Sequence, residues 1–276
     1  MAYYLLRNDF SWKFLSNHEK KIILEENRKY NVSRDDYALP ERYGYGRRRG
    51  GENWDSFRFL EDDYRAQALC YLIERQRPKS VLEIGPGAGF YTRLICNSQS
   101  VEKYTAVDVG RAFLAYLQPR LEEVKGKKRF TYHLICGEIT DLMLHATYDL
   151  IVLLSTVHHI PNRIDLFLTI HSLLSKNGAI FCFDPSHYIF RIFRILYKCF
   201  FQGYLSKNFI GEKSNLSTHH MCSLGEYKRI IKKIPGLMIA NVSYTIPKRA
   251  KTLAWALRPR RLFSTEIGIV LKKQYP

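Results

Sequence analysis

The sequence predicts a doubly wound α/β fold built on a mostly parallel sheet. Short apolar runs alternate with amphipathic helical stretches over residues 61 to 185, which pairs the strands in parallel through helical crossovers. A glycine-rich turn, Gly85-Pro86-Gly87-Ala88-Gly89, follows the first of these runs directly. An acidic residue, Asp108, closes the second.

Residues 1–60 read as an N-terminal helical extension: Ser16 with Glu19 makes a capping box ahead of KKIILEENRKY, and a glycine- and arginine-rich loop carrying Arg47, Arg48 and Arg49 follows. Residues 61–276 form the main domain. A helix is expected over Asp62 to Gln76 with Pro78 as its stop, then a strand over Val81 to Ile84. Further strands are expected at Tyr104 to Asp108, Phe130 to Cys136, Asp149 to Leu154 and Ala179 to Phe183. Helical patterns lie at Tyr91 to Cys96, Arg111 to Val124 and Arg163 to Leu174, the last followed by the stop Lys176-Asn177-Gly178. The alternation breaks over 185–222, read as an insertion on the acceptor or membrane-facing side. It resumes at Ser223, which with Glu226 opens a helix ended by Pro235-Gly236. Two strands, Leu237 to Ile246 and Glu266 to Leu271, flank a basic loop at 248–263.

In an open parallel sheet the ligand crevice lies outside the carboxyl ends of the strands, where strand order reverses. Glycines there let backbone N–H groups approach a ligand without a Cβ in the way. Asp108, 19 residues past Gly89, suits the two hydroxyls of a ribose. Phe90 stands where the dinucleotide fingerprint needs its third glycine, and no GxxxxGK[ST] occurs, so neither a dinucleotide nor a nucleoside triphosphate is expected.

VLEIGPGAG resembles the first motif of the class I S-adenosylmethionine-dependent methyltransferases, an acidic residue followed by GxGxG. LIVLLSTVHHIPN and SKNGAIFCFDP resemble that family's fourth- and fifth-strand regions in its small-molecule branch. The resemblance implies a Rossmann-like, seven-stranded sheet with one antiparallel strand and S-adenosyl-L-methionine as cofactor. It places Glu83, Ile84, Gly85, Pro86, Gly87 and Gly89 at the methionine end, Asp108 on the ribose, and Val109 beside the adenine. Gly137 and Glu138 fall near the adenine amino group, although Glu replaces the commoner Asp, and Ile139 and Ser155 complete the cofactor set.

Methyl transfer from a sulfonium is an in-line displacement that depends first on positioning. A hydroxyl acceptor, mostly protonated at neutral pH, gains from a nearby imidazole, whereas an amine needs no base. His158 and His159 follow the fourth strand, and His159 matches the family's recurrent histidine, so it is the expected base; a purely structural histidine is the competing reading. His219 and His220 read as surface or capping residues. No metal is expected, because Ser155-Thr156 stands where metal-dependent relatives carry acids, and STVH replaces the [DNS]PP[YF] motif of enzymes that methylate exocyclic amines.

Of the net charge of +17, residues 186–276 supply +14, with 17 Lys+Arg against 3 Asp+Glu. Arg191, Arg194 and Lys198 share one side of a helical pattern rich in aromatic and aliphatic residues, and Lys248, Arg249, Lys251, Trp255, Arg258, Arg260 and Arg261 repeat the mixture. This suits a small-molecule or lipid-like substrate and an anionic membrane surface. RNA is the competing partner and ranks below, because no RNA-binding module is visible and bulky aliphatics interrupt the basic residues. A non-catalytic scaffold is a third reading, disfavoured by the intact glycines and acids. Six scattered cysteines, with no CxxC pair, and no apolar run of spanning length suggest a cytoplasmic protein that is peripheral at most.

Overall fold

A computed structural model of the chain describes residues 63–87, 89–160, 162–186, 222–245 and 266–274. The expected N-terminal helix, Arg47 to Arg49, His219, His220, the 248–263 loop and all but the ends of the 185–222 insertion lie outside the described residues.

The elements are α1 (Tyr64–Gln76), β1 (Ser80–Ile84), α2 (Thr92–Asn97), β2 (Lys103–Asp108), α3 (Arg111–Lys127), β3 (Thr131–Cys136), β4 (Tyr148–Leu154), α4 (Arg163–Ser172), β5 (Leu174–Pro185), α5 (Leu224–Ile231), β6 (Leu237–Thr245) and β7 (Glu266–Lys273). The seven strands make one sheet in the order β3-β2-β1-β4-β5-β7-β6, in which β7 runs antiparallel to both neighbours. The other pairings are parallel. The sheet is therefore the expected seven-stranded, mostly parallel one, and its strand order reverses between β1 and β4.

The central strands read as unbroken apolar runs because both their faces are covered. Leu82, Ile151, Leu153 and Ile180 enter one core with Leu166, Phe167 and Ile170 of α4 and Tyr227 and Ile230 of α5. Val81, Leu150, Val152 and Phe181 enter the other, with Leu69 of α1, Ile95 of α2 and Leu117 and Leu121 of α3. Each such side chain, fully buried, contributes roughly 1.5–3 kcal/mol. The edge strand β3 instead alternates, exposing Thr131, His133 and Cys136. Its link to β4 carries only a 3₁₀ turn, Ile139–Asp141.

Local signals account for the helix ends. Asp63 caps α1, its carboxylate accepting the amides of Arg65 and Ala66, and Arg77 closes the helix in the left-handed conformation ahead of Pro78. Ser223 caps α5 by accepting the Glu226 amide at 3.2 Å, but the Glu226 carboxylate does not complete the capping box. It pairs with the buried guanidinium of Arg163, which also donates to the Val157 carbonyl and so binds α5 to α4. Burial works against the Arg163 charge; Cys222, Glu226 and Tyr227 outweigh it and hold its pKa above the usual arginine value.

The largest departure from the expected boundaries falls between α4 and β5. α4 stops at Ser172, and the expected stop Lys176-Asn177-Gly178 lies inside β5. Leu174 is buried and pairs with Tyr148, so it satisfies the strand as well as it would the helix, and a register shift at Tyr148/Leu150 absorbs the glycine.

Because β7 is antiparallel, Glu266 at its start lies opposite both Pro185 and Thr245. The carboxyl ends of β1 to β6 and the amino end of β7 thus share one rim. Pro185, Thr245 and Glu266 lie at this rim, where the Cys222 amide donates to the Pro185 carbonyl at 3.1 Å. Among the described residues no helix is long and apolar enough to cross a membrane.

Candidate cofactor and acceptor site

The glycine turn starts where β1 ends. The Gly85 amide donates to the Val107 carbonyl of β2 at 2.8 Å, and the Gly89 amide closes the turn on Pro86 at 3.0 Å. Gly85, Gly87 and Gly89 take φ of +69°, +54° and +78°, the left-handed region that glycine enters freely. They differ in their surroundings. A Cβ at Gly85 would lie 2.6 Å from the Thr156 hydroxyl, so that glycine is needed for packing; one at Gly87 would meet nothing within 4 Å. Gly87 therefore offers bare backbone to open space, as the close approach of a ligand requires.

Asp108 comes to this turn from the end of β2. Its Oδ2 accepts the Gly87 amide at 3.1 Å and its Oδ1 the Gly110 amide at 2.7 Å. Burial raises its pKa, and the Gly110 and Gly87 amides pull against that rise. An oriented carboxylate beside an open glycine backbone fits an adenosyl group, with acceptor oxygen for the ribose hydroxyls and, at Gly87, main chain that no side chain shields.

Glu83 lies below the turn. Its Oε2 accepts the Thr92 hydroxyl at 2.7 Å and the Tyr104 hydroxyl at 2.6 Å, joining β1, α2 and β2. Burial, opposed by those two hydrogen bonds, pushes its pKa up to about 7. Ile84, Pro86 and Gly89 are buried around the turn. At the neighbouring strand ends, the Gly137 amide donates to the Asp108 carbonyl at 2.9 Å, Val109 and Glu138 are half-buried, and Ile139 is in the core. The cofactor residues expected after β1, β2 and β3 are thus gathered at one rim.

Beyond β4, Ser155 has φ of +54° and donates its amide to the Phe183 carbonyl at 2.7 Å. Its hydroxyl accepts from Arg65 at 2.7 Å, and Arg65 also pairs with Glu266. The 3₁₀ turn Val157–His159 follows. His158 is almost wholly buried: Asp184 Oδ1 takes its ring Nδ1 at 2.8 Å and its amide at 3.2 Å, while Asp184 Oδ2 accepts the Tyr227 hydroxyl at 3.2 Å. Burial, with the charges of Cys222 and Asp184, drives the Tyr227 pKa well above the usual phenol value, so it stays a donor. His159 is half-buried and lies against His158, ring centroids 3.9 Å apart. The arrangement holds one imidazole on a carboxylate and offers the next at the rim.

Asp184, Tyr227, Thr156 and Arg65 are the residues sequence reasoning missed. Asp184 stands one residue before the end of β5, much as Asp108 ends β2, and that parallel was a usable signal. Tyr227 and Arg65 lie 43 and 90 residues from their partners, and nothing local marks them. An open depression of about 940 Å³ lies elsewhere, against Ser80, Lys103, Thr131 and Tyr148 at the strands' opposite ends, where the short β3–β4 link leaves the sheet uncovered. None of the expected site residues borders it. Among the described residues, no group of three or more His, Cys, Asp or Glu side chains is placed to hold a metal.

Residues 82–180 match the family model described as a methyltransferase domain. A stretch of 73 residues is 33% identical to malonyl-[acyl-carrier protein] O-methyltransferase of Priestia megaterium (strain DSM 319 / IMG 1521), covering 26% of this chain and 24% of that protein. The match thus spans about a quarter of the curated relative's length. Among solved structures, the plantazolicin methyltransferase BamL in complex with a triazolic desmethylPZN analog and SAH is similar at TM-score 0.56 and 15% identity, over 93% of this chain and 99% of that one. The methyltransferase domain of bacterial-CtHen1-C is similar at TM-score 0.53 and 14% identity, over 76% and 97%. These structural likenesses are likenesses of fold, and they agree with the family match and with the motif at the end of β1. Residues 82–180 thus match a methyltransferase domain, and the seven-stranded sheet around them has the fold of solved methyltransferases.

Proposed function

We propose that the chain transfers a methyl group from S-adenosylmethionine to an oxygen of a small, hydrophobic or lipid-linked acceptor. The observation that carries this reading is the Asp184–His158–His159 arrangement beside the glycine turn, at the reversal point of the sheet. An amine acceptor would need no such base. The name of the curated relative, an O-methyltransferase, agrees with oxygen. The apolar nature of the acceptor rests on the basic and aromatic residues of 187–221 and 246–265 in the sequence, whose flanking residues Pro185, Cys222, Thr245 and Glu266 lie at the same rim.

When bound, the cofactor supplies an electrophilic methyl on a sulfonium. Asp108 would accept the ribose hydroxyls, and the bare backbone at Gly87 would let the nucleoside approach the turn closely. Asp184 Oδ1, already accepting the backbone N–H of His158, holds that ring with its proton on Nδ1. His158 in turn backs His159, whose ring would take the acceptor's hydroxyl proton as the O–C bond forms and the methyl–sulfur bond breaks, its electron pair staying on the sulfur. Enclosing the acceptor in a dry crevice strengthens each of these interactions.

Incubating the protein with methyl-labelled S-adenosylmethionine and cell extract tests the reading. Label is expected in the organic-extractable or small-molecule fraction; label in RNA would overturn the acceptor class. With the acceptor in hand, His159→Ala is expected to lower kcat by about 10²–10⁴ and flatten the acid limb of the pH profile. An unchanged rate and profile would remove His159 as the base.

A further inference from the structure

Two described residues other than glycine have positive φ. Arg77 is an ordinary helix cap, but Ser155 is not at a helix end. It is the single step between β4 and the turn that carries Thr156, His158 and His159. An L-residue other than glycine resists this conformation, so something must hold it. Two contacts do: the Ser155 amide remains on Phe183 of β5, and the Ser155 hydroxyl accepts a hydrogen bond from Arg65.

We propose that Arg65 is a positioning residue, which fixes Ser155 in its left-handed conformation and thereby aims the Thr156–His159 turn at the glycine turn. Its fork is fixed at the other end by Glu266, with side-chain exposures of only 24% and 18% for the pair. A planar guanidinium suits this double role in a way that a lysine does not. Arg65 stands in the first turn of α1, whose cap Asp63 accepts the hydroxyl of Tyr91 at 2.9 Å, two residues beyond Gly89. Both walls of the crevice are therefore referenced to one helical turn. If Ser155 relaxed to negative φ, the chain would leave β4 in another direction, taking Thr156 off Gly85 and His158 off Asp184.

The inference rests on the reading that this turn carries the acceptor base, but its test does not. Hydrogen exchange is followed at the amides of Ser155, His158 and His159 in the ligand-free protein. Arg65→Gln is expected to speed exchange about tenfold there, and less in the β1–β2 core. Ser155→Ala keeps the Arg65–Glu266 pair and is expected to do the same. Adding Ser155→Gly to Arg65→Gln is expected to restore protection, because glycine needs no restraint at this φ. In methyl transfer, Arg65→Gln should lower kcat and leave the Kd for S-adenosylhomocysteine within about twofold. Unchanged exchange in both single variants, or no recovery in the double variant, would overturn the proposal. A wild-type protein that transfers no methyl would instead count against the proposed function, and the exchange data would still decide the role of Arg65.

Discussion

Asp108 accepts the amide of Gly87 at 3.1 Å across 21 residues of chain. This contact ties the end of β2 to the turn after β1 and holds a carboxylate beside backbone that a ligand can reach. The same carboxylate that restrains the turn would, in the proposed function, receive the nucleoside.

Asp108→Asn is therefore expected to weaken S-adenosylhomocysteine binding by about 10- to 100-fold, the value of one or two hydrogen bonds to a charged acceptor. Isothermal calorimetry measures it. The fold should persist, since asparagine can still accept one of the two amides.

Gly85 and Gly87 share positive φ but not the same surroundings. Gly87→Ala should cost about 1–2 kcal/mol from backbone strain alone. Gly85→Ala adds a collision with Thr156 and should cost more. Urea titrations of the two variants should rank Gly85→Ala as the less stable, and the reverse order would contradict the packing at Thr156.

Glu83 sets a pH dependence. Its carboxyl is raised in the folded protein to about 7 from an unfolded value near 4.5, so the folded state binds its proton more tightly than the unfolded state does. Its contribution to stability is thus fully present below about pH 4.5 and declines as pH rises towards 7, by an amount on the order of 3 kcal/mol. Urea midpoints measured between pH 5 and 8 should fall in the wild type more steeply than in Glu83→Gln. Parallel profiles would show that Glu83 titrates normally.

Asp184 accepts three donors in a buried setting: the amide and ring of His158 and the hydroxyl of Tyr227. Asp184→Ala leaves all three without their acceptor, at roughly 1–3 kcal/mol each. Thermal unfolding should show a large loss, on the order of 3–6 kcal/mol if the terms partly overlap. Asp184→Asn retains an acceptor and should lose less.

Much of this was legible in the chain because the signals were local. Val81 to Ile84 and Asp149 to Leu154 have no polar alternation, which only a strand covered on both faces tolerates. Gly85, Gly87 and Gly89 sit in a row because three backbone positions need left-handed freedom. The end of α4 was misjudged because Leu173 and Leu174 satisfy a helix and a strand equally well. The role of Glu83 was only half visible: its position beside the glycines was clear, but the hydroxyls of Thr92 and Tyr104 that occupy it come from α2 and β2. Asp184, Tyr227 and Arg65 were hidden for the same reason, since their partners are distant in sequence and adjacent only once β5, α5 and α1 are packed.

The Cys222–Pro185 hydrogen bond pins the approach to α5 against the end of β5. Tyr227 then reaches Asp184 from a fixed starting point, so loosening this one amide would be felt at His158 while the strand pairings stayed intact.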